Sequence, residues 1–465
     1  MKHKIYLATI LAAGLLCSSC EDFLDQRPQS VASTANFYKN DADIENAVNA
    51  CYASLQNSKL YGNFMIVMAE VRSDNVEDQN PGGNAGRDYN IDHFTAGADN
   101  AAVTGVWQQS FHTIMRCNAV LENLDACKNE SKRKQYEGEA RFLRGLMYFN
   151  IVRFWGAAPI VRNQLTIDQS IASVREDVDK VYAFIEEDLA SAAANLPAKY
   201  GSKETGRASS GAALALLGKV YLTQQRWIEA KATLGRLLSS EFNSVYELLP
   251  DVADVFKQDN KFNKEQMFVV HYSKTIVGEG HGFSQYFQNA SLLDIKLRTG
   301  YEENDARKRL IETYNLDKDT SPFMKFYDTY DPSTKNVGYD MSILRYADVI
   351  LMYAEALNEI GYDSSADSEA LAYLNKVRTR SGATAYKATE LANQAAFRDA
   401  VLLERRLEFP LELHRWFDLI RTNTAEEALA KVGHTITRND YLYPIPKTEL
   451  DLVPNFYQNP GYADK

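Results

Sequence analysis

The chain reads as a mainly all-α protein, a tetratricopeptide-like helical superhelix broken by long irregular excursions and a few short strands. Three observations predict this. Apolar residues recur at three- and four-residue spacing over residues 41–57, 101–127 and 132–155. Residues 207–240 (RASSGAALALLGKVYLTQQRWIEAKATLGRLLSS) alternate small and large residues as a packed helix pair requires. Between such segments lie polar, Gly- and aromatic-rich stretches without helical period, too long to be simple connections.

The amino terminus comes first. Lys2, His3 and Lys4 precede an uncharged apolar run at residues 5–16, then Ser18, Ser19 and Cys20. This is a secretory signal over residues 1–19. It is shorter than the roughly 20 apolar residues that a permanent span needs. A cysteine after two small residues is where a bacterial signal peptide is cut and the new terminus acylated. Cys20 is therefore read as a lipidated first residue, with residues 20–38 as its tether; Cys17 stands where Leu is usual. No later segment approaches a membrane span.

A formal charge of −11 without a Lys/Arg block argues against a nucleic-acid partner. Cys51, Cys117 and Cys127 remain after processing, an odd number that allows no complete disulfide framework. Cys117 and Cys127 fall in one predicted helix about 15 Å apart, so buried thiols are expected.

Along the chain, residues 132–155 are apolar on most of their circumference, which predicts a buried helix ending at Gly156 and Pro159. An amphipathic helix is expected at 175–195, stopped by Pro197. In the pair at 207–240, Gly218 and Ala230 let two helices approach while Tyr221 and Leu234 fill the space between them. A second pair is expected over 342–381, turning at Gly361 and Asp363. A helix over 393–409 is broken at Pro410 and resumes over 411–421. About four stacked pairs result. Three excursions interrupt them: residues 72–104, residues 257–305 with a strand-like run at 266–273, and residues 315–341. The Pro-rich tail, 441–462, is expected to wrap the surface in extended form. The organisation is thus one unit over 39–465, with an N-terminal helical half (39–240), a loop-rich insert (241–341) and a C-terminal helical half with its tail (342–465).

Charged clusters are read as structural. Arg405–Glu408, Glu412–Arg415 and Asp418–Arg421 are spaced to pair as ions on helical turns, and Glu139, Arg141, Arg144 and Arg153 sit at the edge of a buried helix. No catalytic set, zinc motif, nucleophile elbow or phosphate loop is present, so no cofactor is expected. Asp78, Asn80 and Gly82–Gly83 resemble part of a calcium loop, but Tyr89 stands where the bidentate Glu belongs.

Several blocks together resemble the SusD/RagB family of outer-membrane lipoproteins. They are CEDFLDQRP after the signal, EARFLRGLMYFNIVRFWGAAPIV at 139–161, GRASSGAALALLGKVYLTQQRWIEA at 206–230, LRYADVILMYAEALNEIG at 344–361, LNKVRTRSG at 374–382, LLERRLEFPLELHRWFDLIR at 402–421 and YPIPKTELDLVPNFYQNPGY at 443–462. Their order and spacing are specific. The chain departs from the family at Ala157–Ala158, where a Gly-Asp-type pair is usual, and at Leu413–His414, where Gly is usual. The resemblance implies a non-enzymatic lipoprotein on the extracellular face. It captures an oligosaccharide, or in some members a peptide, and acts as lid to a SusC-like TonB-dependent outer-membrane transporter. A surface glycosidase is the less favoured alternative. Glu21 and Asp22 resemble the acidic signal that exports such lipoproteins to the surface.

Sugar binding needs exposed aromatics for ring faces and Asp, Asn, Arg or Gln for hydroxyl edges. Of the 27 Tyr, 21 Phe and 4 Trp, most lie on core faces, Trp155, Trp227 and Trp416 among them. The candidates are loop residues: Asp74, Asn75, Arg87, Tyr89 and Asp92 in the first excursion; His281, Phe283, Tyr286, Phe287 and Asn289 in the second; Tyr327 and Tyr330 in the third. Trp107, at the start of a helix, is either core or site. The first two excursions are expected to converge into one capture site.

Overall fold

The structure is a computed structural model and describes residues 37–463, apart from 203, 282–292, 296, 298–299, 312–324, 326–327, 329–330, 332 and 334–336, with backbone alone for 293–295. The expectations placed on Cys20, Glu21, Asp22, Phe283, Tyr286, Phe287, Asn289, Tyr327 and Tyr330 lie outside the described residues.

Helix α1 (Asp41–Leu55) begins at Asn40, whose side chain accepts the N–H groups of Ala42 and Asp43. A buried π-helical turn, Val67–Val71, leads to strand β1 (Val76–Asp78) and the short helix α2 (Arg87–Asp92). Then come α3 (Ala101–Glu122), α4 (Glu130–Trp155), α5 (Val178–Asn195), α6 (Ser210–Thr223) and α7 (Trp227–Leu237). The insert carries β2 (Gln266–Val270) and β3 (Leu293–Ile295), and β4 (Met341–Arg345) runs directly into α8 (Tyr346–Ile360). The C-terminal elements are α9 (Glu369–Arg380), α10 (Gln394–Glu408), α11 (Arg415–Arg421) and α12 (Lys447–Leu452).

Each long helix packs on the next: α1 on α3, α3 on α4, α4 on α5, α5 on α6, α6 on α7, α7 on α8, and α8 on α9 and α10. This is the stacked superhelix that the periodicity predicts. Glycines set its closest approaches. A Cβ on Gly218 of α6 would fall 2.4 Å from Leu234 of α7, and one on Gly138 of α4 would fall 2.8 Å from Leu196. α4 is buried almost all round and ends at Gly156, whose φ of 72° reverses the chain. The three thiols are free and buried.

The structure corrects the sequence reading in four places. Residues 342–345 are strand, not helix: β4 pairs antiparallel with β2 in the register Val270↔Met341, Val269↔Ser342, Phe268↔Leu344 and Gln266↔Arg345. A run buried on both faces carries no alternation to mark it as strand. α3 ends at Glu122, so Cys127 lies beyond a separate 3-10 turn at Leu124–Ala126 rather than on the helix of Cys117. α11 starts at Arg415, because Leu411 and Leu413 take φ of 65° and 66° and break the helix that was expected from 411. The tail is not confined to the surface; Tyr443, Ile445, Leu450 and Phe456 are buried and α12 lies within it.

Of the three ion pairs expected around α10 and α11, Asp418–Arg421 forms at 2.9 Å. The other two do not: the reversal at 411–413 takes Glu412 off the helix of Arg415, and Arg405 and Glu408, though both on α10, are each drawn to partners on other elements. Glu408 is taken by Arg345, Arg307 and Arg380, Glu412 by Arg345 and Lys325, Arg405 by Asp348 and Asp418, and Arg415 by Asp74. Arg345 and Glu408 are both inside the protein. Burial alone would raise the Glu408 carboxyl, but Arg380, Arg345 and Arg307 outweigh it and hold it at about 2. On α4, Arg144 and Arg141 bind Asp188, Glu139 binds Arg207, and Arg153 lies between the rings of Phe149 and Phe417. These carboxylates are spent on the framework.

Candidate functional site

The two excursions meet. β1 of the first pairs antiparallel with β3 of the second in the register Val76↔Ile295, Glu77↔Asp294 and Asp78↔Leu293. Their backbones therefore converge as expected, on a two-stranded ribbon between the first excursion and the loop-rich insert.

The base of the first excursion is fixed from below. Asp74 is buried; its carboxylate accepts two hydrogen bonds from Arg415, at 2.7 and 2.9 Å, and its carbonyl accepts one from Arg406 at 3.0 Å. Burial favours the neutral acid, but Arg415 and Arg406 outweigh it and keep the carboxyl below its ordinary range. Asn75, also buried, accepts from Arg406 Nε at 2.9 Å. Asp92 is inside as well, accepting the N–H of Asp78 at 3.1 Å. The expectation that these three side chains face a ligand is corrected: a short polar side chain in a Gly- and Asn-rich segment anchors that segment instead.

Two further candidates move inward. Trp107 is core, edge-on to Trp155 with ring centres 5.2 Å apart. His281 is buried against Tyr272 and its Nε2 lies 2.6 Å from the carbonyl of Tyr339, and burial pushes its pKa down to about 4.

What remains partly accessible is an aromatic ridge formed by α2 and the residues just after it, with His434. Before it, Asn84, Ala85 and Gly86 all take positive φ, at 49°, 56° and 76°, which folds the exposed loop back and launches the helix. Arg87 is clamped bidentate to the buried Asp88, its guanidinium 4.5 Å from the ring centre of Phe64, while Asn100 donates to the Arg87 carbonyl at 3.0 Å. One turn along, half-buried Tyr89 stacks on His93, centroids 3.8 Å apart and planes 19° from parallel. His93 meets His434 edge-on at 5.2 Å, and His434 in turn meets Phe94 at 6.0 Å. Asp92 stands behind both imidazoles, 3.4 Å from His93 Nδ1 and 3.8 Å from His434 Nε2.

His93 and His434 were absent from the sequence candidates. His93 was within reach, because residues four apart share a helix face. His434 lies more than 300 positions away and no local pattern announces it. The cluster leaves the half-buried Tyr89 and His93 rings partly accessible, a surface suited to a ligand with apolar faces and hydroxyl edges. The calcium-like run is self-satisfied: Asp78 accepts from the N–H of Asn80 at 2.8 Å and Asn80 from that of Gly82 at 3.2 Å. Among the described residues no group of three or more His, Cys, Asp or Glu is placed to hold a metal ion.

Comparison with known proteins connects this architecture to a family. The family described as "SusD family" matches residues 271–435, and the one described as "Starch-binding associating with outer membrane" matches residues 22–222. The SusD-like protein P25 of Formosa agariphila is 27% identical, covering 94% of this chain and 95% of its own. A SusD-like protein of Bacteroides ovatus is 26% identical over 90% of this chain and 82% of its own. The crystal structure of a SusD homolog from Bacteroides thetaiotaomicron superposes with a TM-score of 0.78 at 23% identity, covering 94% of this chain and 100% of that one. A laminarin-binding SusD-like protein superposes with a TM-score of 0.72 at 24% identity, over 91% and 100%. Matched over residues 22–222 and 271–435 and by SusD-like relatives along nearly its whole length, this chain belongs to the SusD family.

Proposed function

We propose that this chain is a surface glycan-binding lipoprotein that captures oligosaccharide and delivers it to a SusC-like TonB-dependent transporter in the outer membrane. The observation that carries the reading is the Tyr89–His93 stack, held half-exposed where the two excursions pair. Support comes from relatives described as surface glycan-binding and laminarin-binding proteins, and from the family description that places its members with the outer membrane. The lipidated Cys20 tethers the chain, and Glu21 and Asp22 direct it outward. Ligand drives lid closure because the closed state touches it from both sides; only such a difference in affinity shifts the equilibrium.

The test is a glycan array with the chain from residue 21 onward, followed by calorimetry on each hit. Tyr89→Ala removes the stacking face and weakens binding about tenfold, roughly 1.4 kcal/mol. Unchanged affinity overturns this placement of the site. Released reducing ends in the same incubation overturn the non-enzymatic part. Protease treatment of intact cells that leaves the protein whole overturns the outward orientation.

A further inference from the structure

A cavity of about 220 Å³ lies among the segment 198–209 after α5, the segment 244–246 after α7, and residues 261–271 leading into and along β2. It shares no residue with the first excursion. In a chain of net charge −11, its lining holds the cations Lys199, Arg207, Lys261 and Lys264, beside the His271 imidazole, and not one Asp or Glu. The carboxylates that pair with these cations stand outside the lining. Arg207 is held by Glu139 and Glu45, Lys261 and His271 by Asp340, and Lys264 by the exposed Glu247, while Lys199 stands exposed at the lip.

One wall is aromatic. Phe262 is 59% exposed, an unusual state for so large an apolar residue, and its ring leans on His271 with ring centres 4.7 Å apart. The opposite lip runs through Gly206 at φ 95°; a Cβ there would fall 2.9 Å from His271 Nε2 and 3.4 Å from Phe262. Glycine thus lets the backbone close down on the ring edge. The volume is below the roughly 300 Å³ at which drug-sized pockets begin, so it takes one ring and leaves the rest of a chain outside. An exposed aromatic residue beside Lys199 and Lys264, in a lining that carries no carboxylate, suits a sugar that carries its own negative charge.

We propose that this groove is a second binding site, separate from the ridge, for a uronate or sulfated sugar unit of the captured polymer; it extends the glycan-binding reading above. The full mature chain carrying Phe262→Trp places a reporter in the groove, to be titrated with trigalacturonate, with neutral maltotriose and with sodium sulfate. The expected result is a saturable fluorescence change with trigalacturonate alone, about tenfold weaker when Lys199→Ala and Lys264→Ala are added. Calorimetry on the chain with native Phe262, with and without the two lysine changes, repeats the comparison. No saturable change overturns the proposal. An equal response to maltotriose overturns the anionic assignment, and an equal response to sulfate overturns the saccharide one. A groove response that survives Tyr89→Ala, in a chain that binds no neutral glycan, leaves this site standing while the ridge reading fails. Ridge binding with a silent groove does the reverse.

Discussion

Glu70 and Leu413 show how one residue's environment writes a property of the whole. Glu70 lies fully buried in the π-helical turn, its Oε1 accepting the Leu413 N–H at 2.6 Å and its Oε2 without a partner. Burial raises its pKa, and the bonds it accepts offset this only in part, so it stands at about 7. Leu413 takes a φ of 66°: the turn that delivers its N–H to Glu70 needs a left-handed residue, and here a leucine bears that strain. The pH consequence has a definite sign. Folded Glu70 keeps its proton after the unfolded chain has lost it at about 4.5, so the unfolded state binds fewer protons across this window. Its contribution to stability therefore falls from about pH 4.5 to about pH 7, by roughly 3 kcal/mol, and is level above. Glu70→Gln removes this term. Urea midpoints at pH 5 and pH 8 should show the variant gaining on the wild type at the higher pH; a difference between the two proteins that does not change with pH would contradict the assignment.

At the scale of elements, α6 against α7 is a tight joint, and it is the joint most legible in the sequence. Small residues at Gly218 and Ala230 opposite a large Leu234 announce a close crossing, and the structure places Ala230 and Leu234 at zero exposure. Gly218→Ala sets two effects against each other. Alanine favours an exposed helix over glycine by about 1 kcal/mol. Its Cβ, however, would lie 2.4 and 2.6 Å from two carbons of Leu234, and overpacking of this kind costs about 1–3 kcal/mol. Leu234 is itself locked in the core, so the clash wins and thermal unfolding should move down by about 1–2 °C, the shift that a chain of this length gives for about 1–2 kcal/mol. Gly201→Ala, with nothing within 4 Å, is the control and should leave the melting point in place. A Gly218→Ala chain as stable as the wild type would mean that α7 can slide on α6.

Across the whole molecule, what the sequence revealed was what local spacing can encode. Helix periods, the small-residue joint and the meeting of two excursions were legible; the partners of Glu408, Glu412 and Arg415 were not, because each is set by elements far along the chain. The same holds for Asp74 and Asn75, whose polar character signals a loop equally well whether it faces solvent or two arginines. The C-terminal tail is the strongest case, since its prolines read as surface wrapping while its side chains complete the core. The Tyr443 N–H donates to the Phe154 carbonyl at 2.7 Å, its hydroxyl to Met68 at 2.8 Å, and the Trp155 indole donates to the Pro444 carbonyl at 3.0 Å. Asn459 donates to the carbonyls of Trp155 and Tyr443, and Arg72 lies 4.2 Å from the Tyr443 ring centre. The tail therefore seals the end of α4 and the π-helical turn behind the candidate site. Ending the chain after Leu442 removes buried Tyr443, Ile445, Leu450, Val453 and Phe456. At about 2 kcal/mol for each, the loss is roughly 10 kcal/mol, as large as the stability of a typical domain. The truncated chain should lose its cooperative melting transition and bind hydrophobic dye, and with the ridge unsupported it should bind no glycan. A sharp transition near that of the full chain would show that the core closes without its last 23 residues.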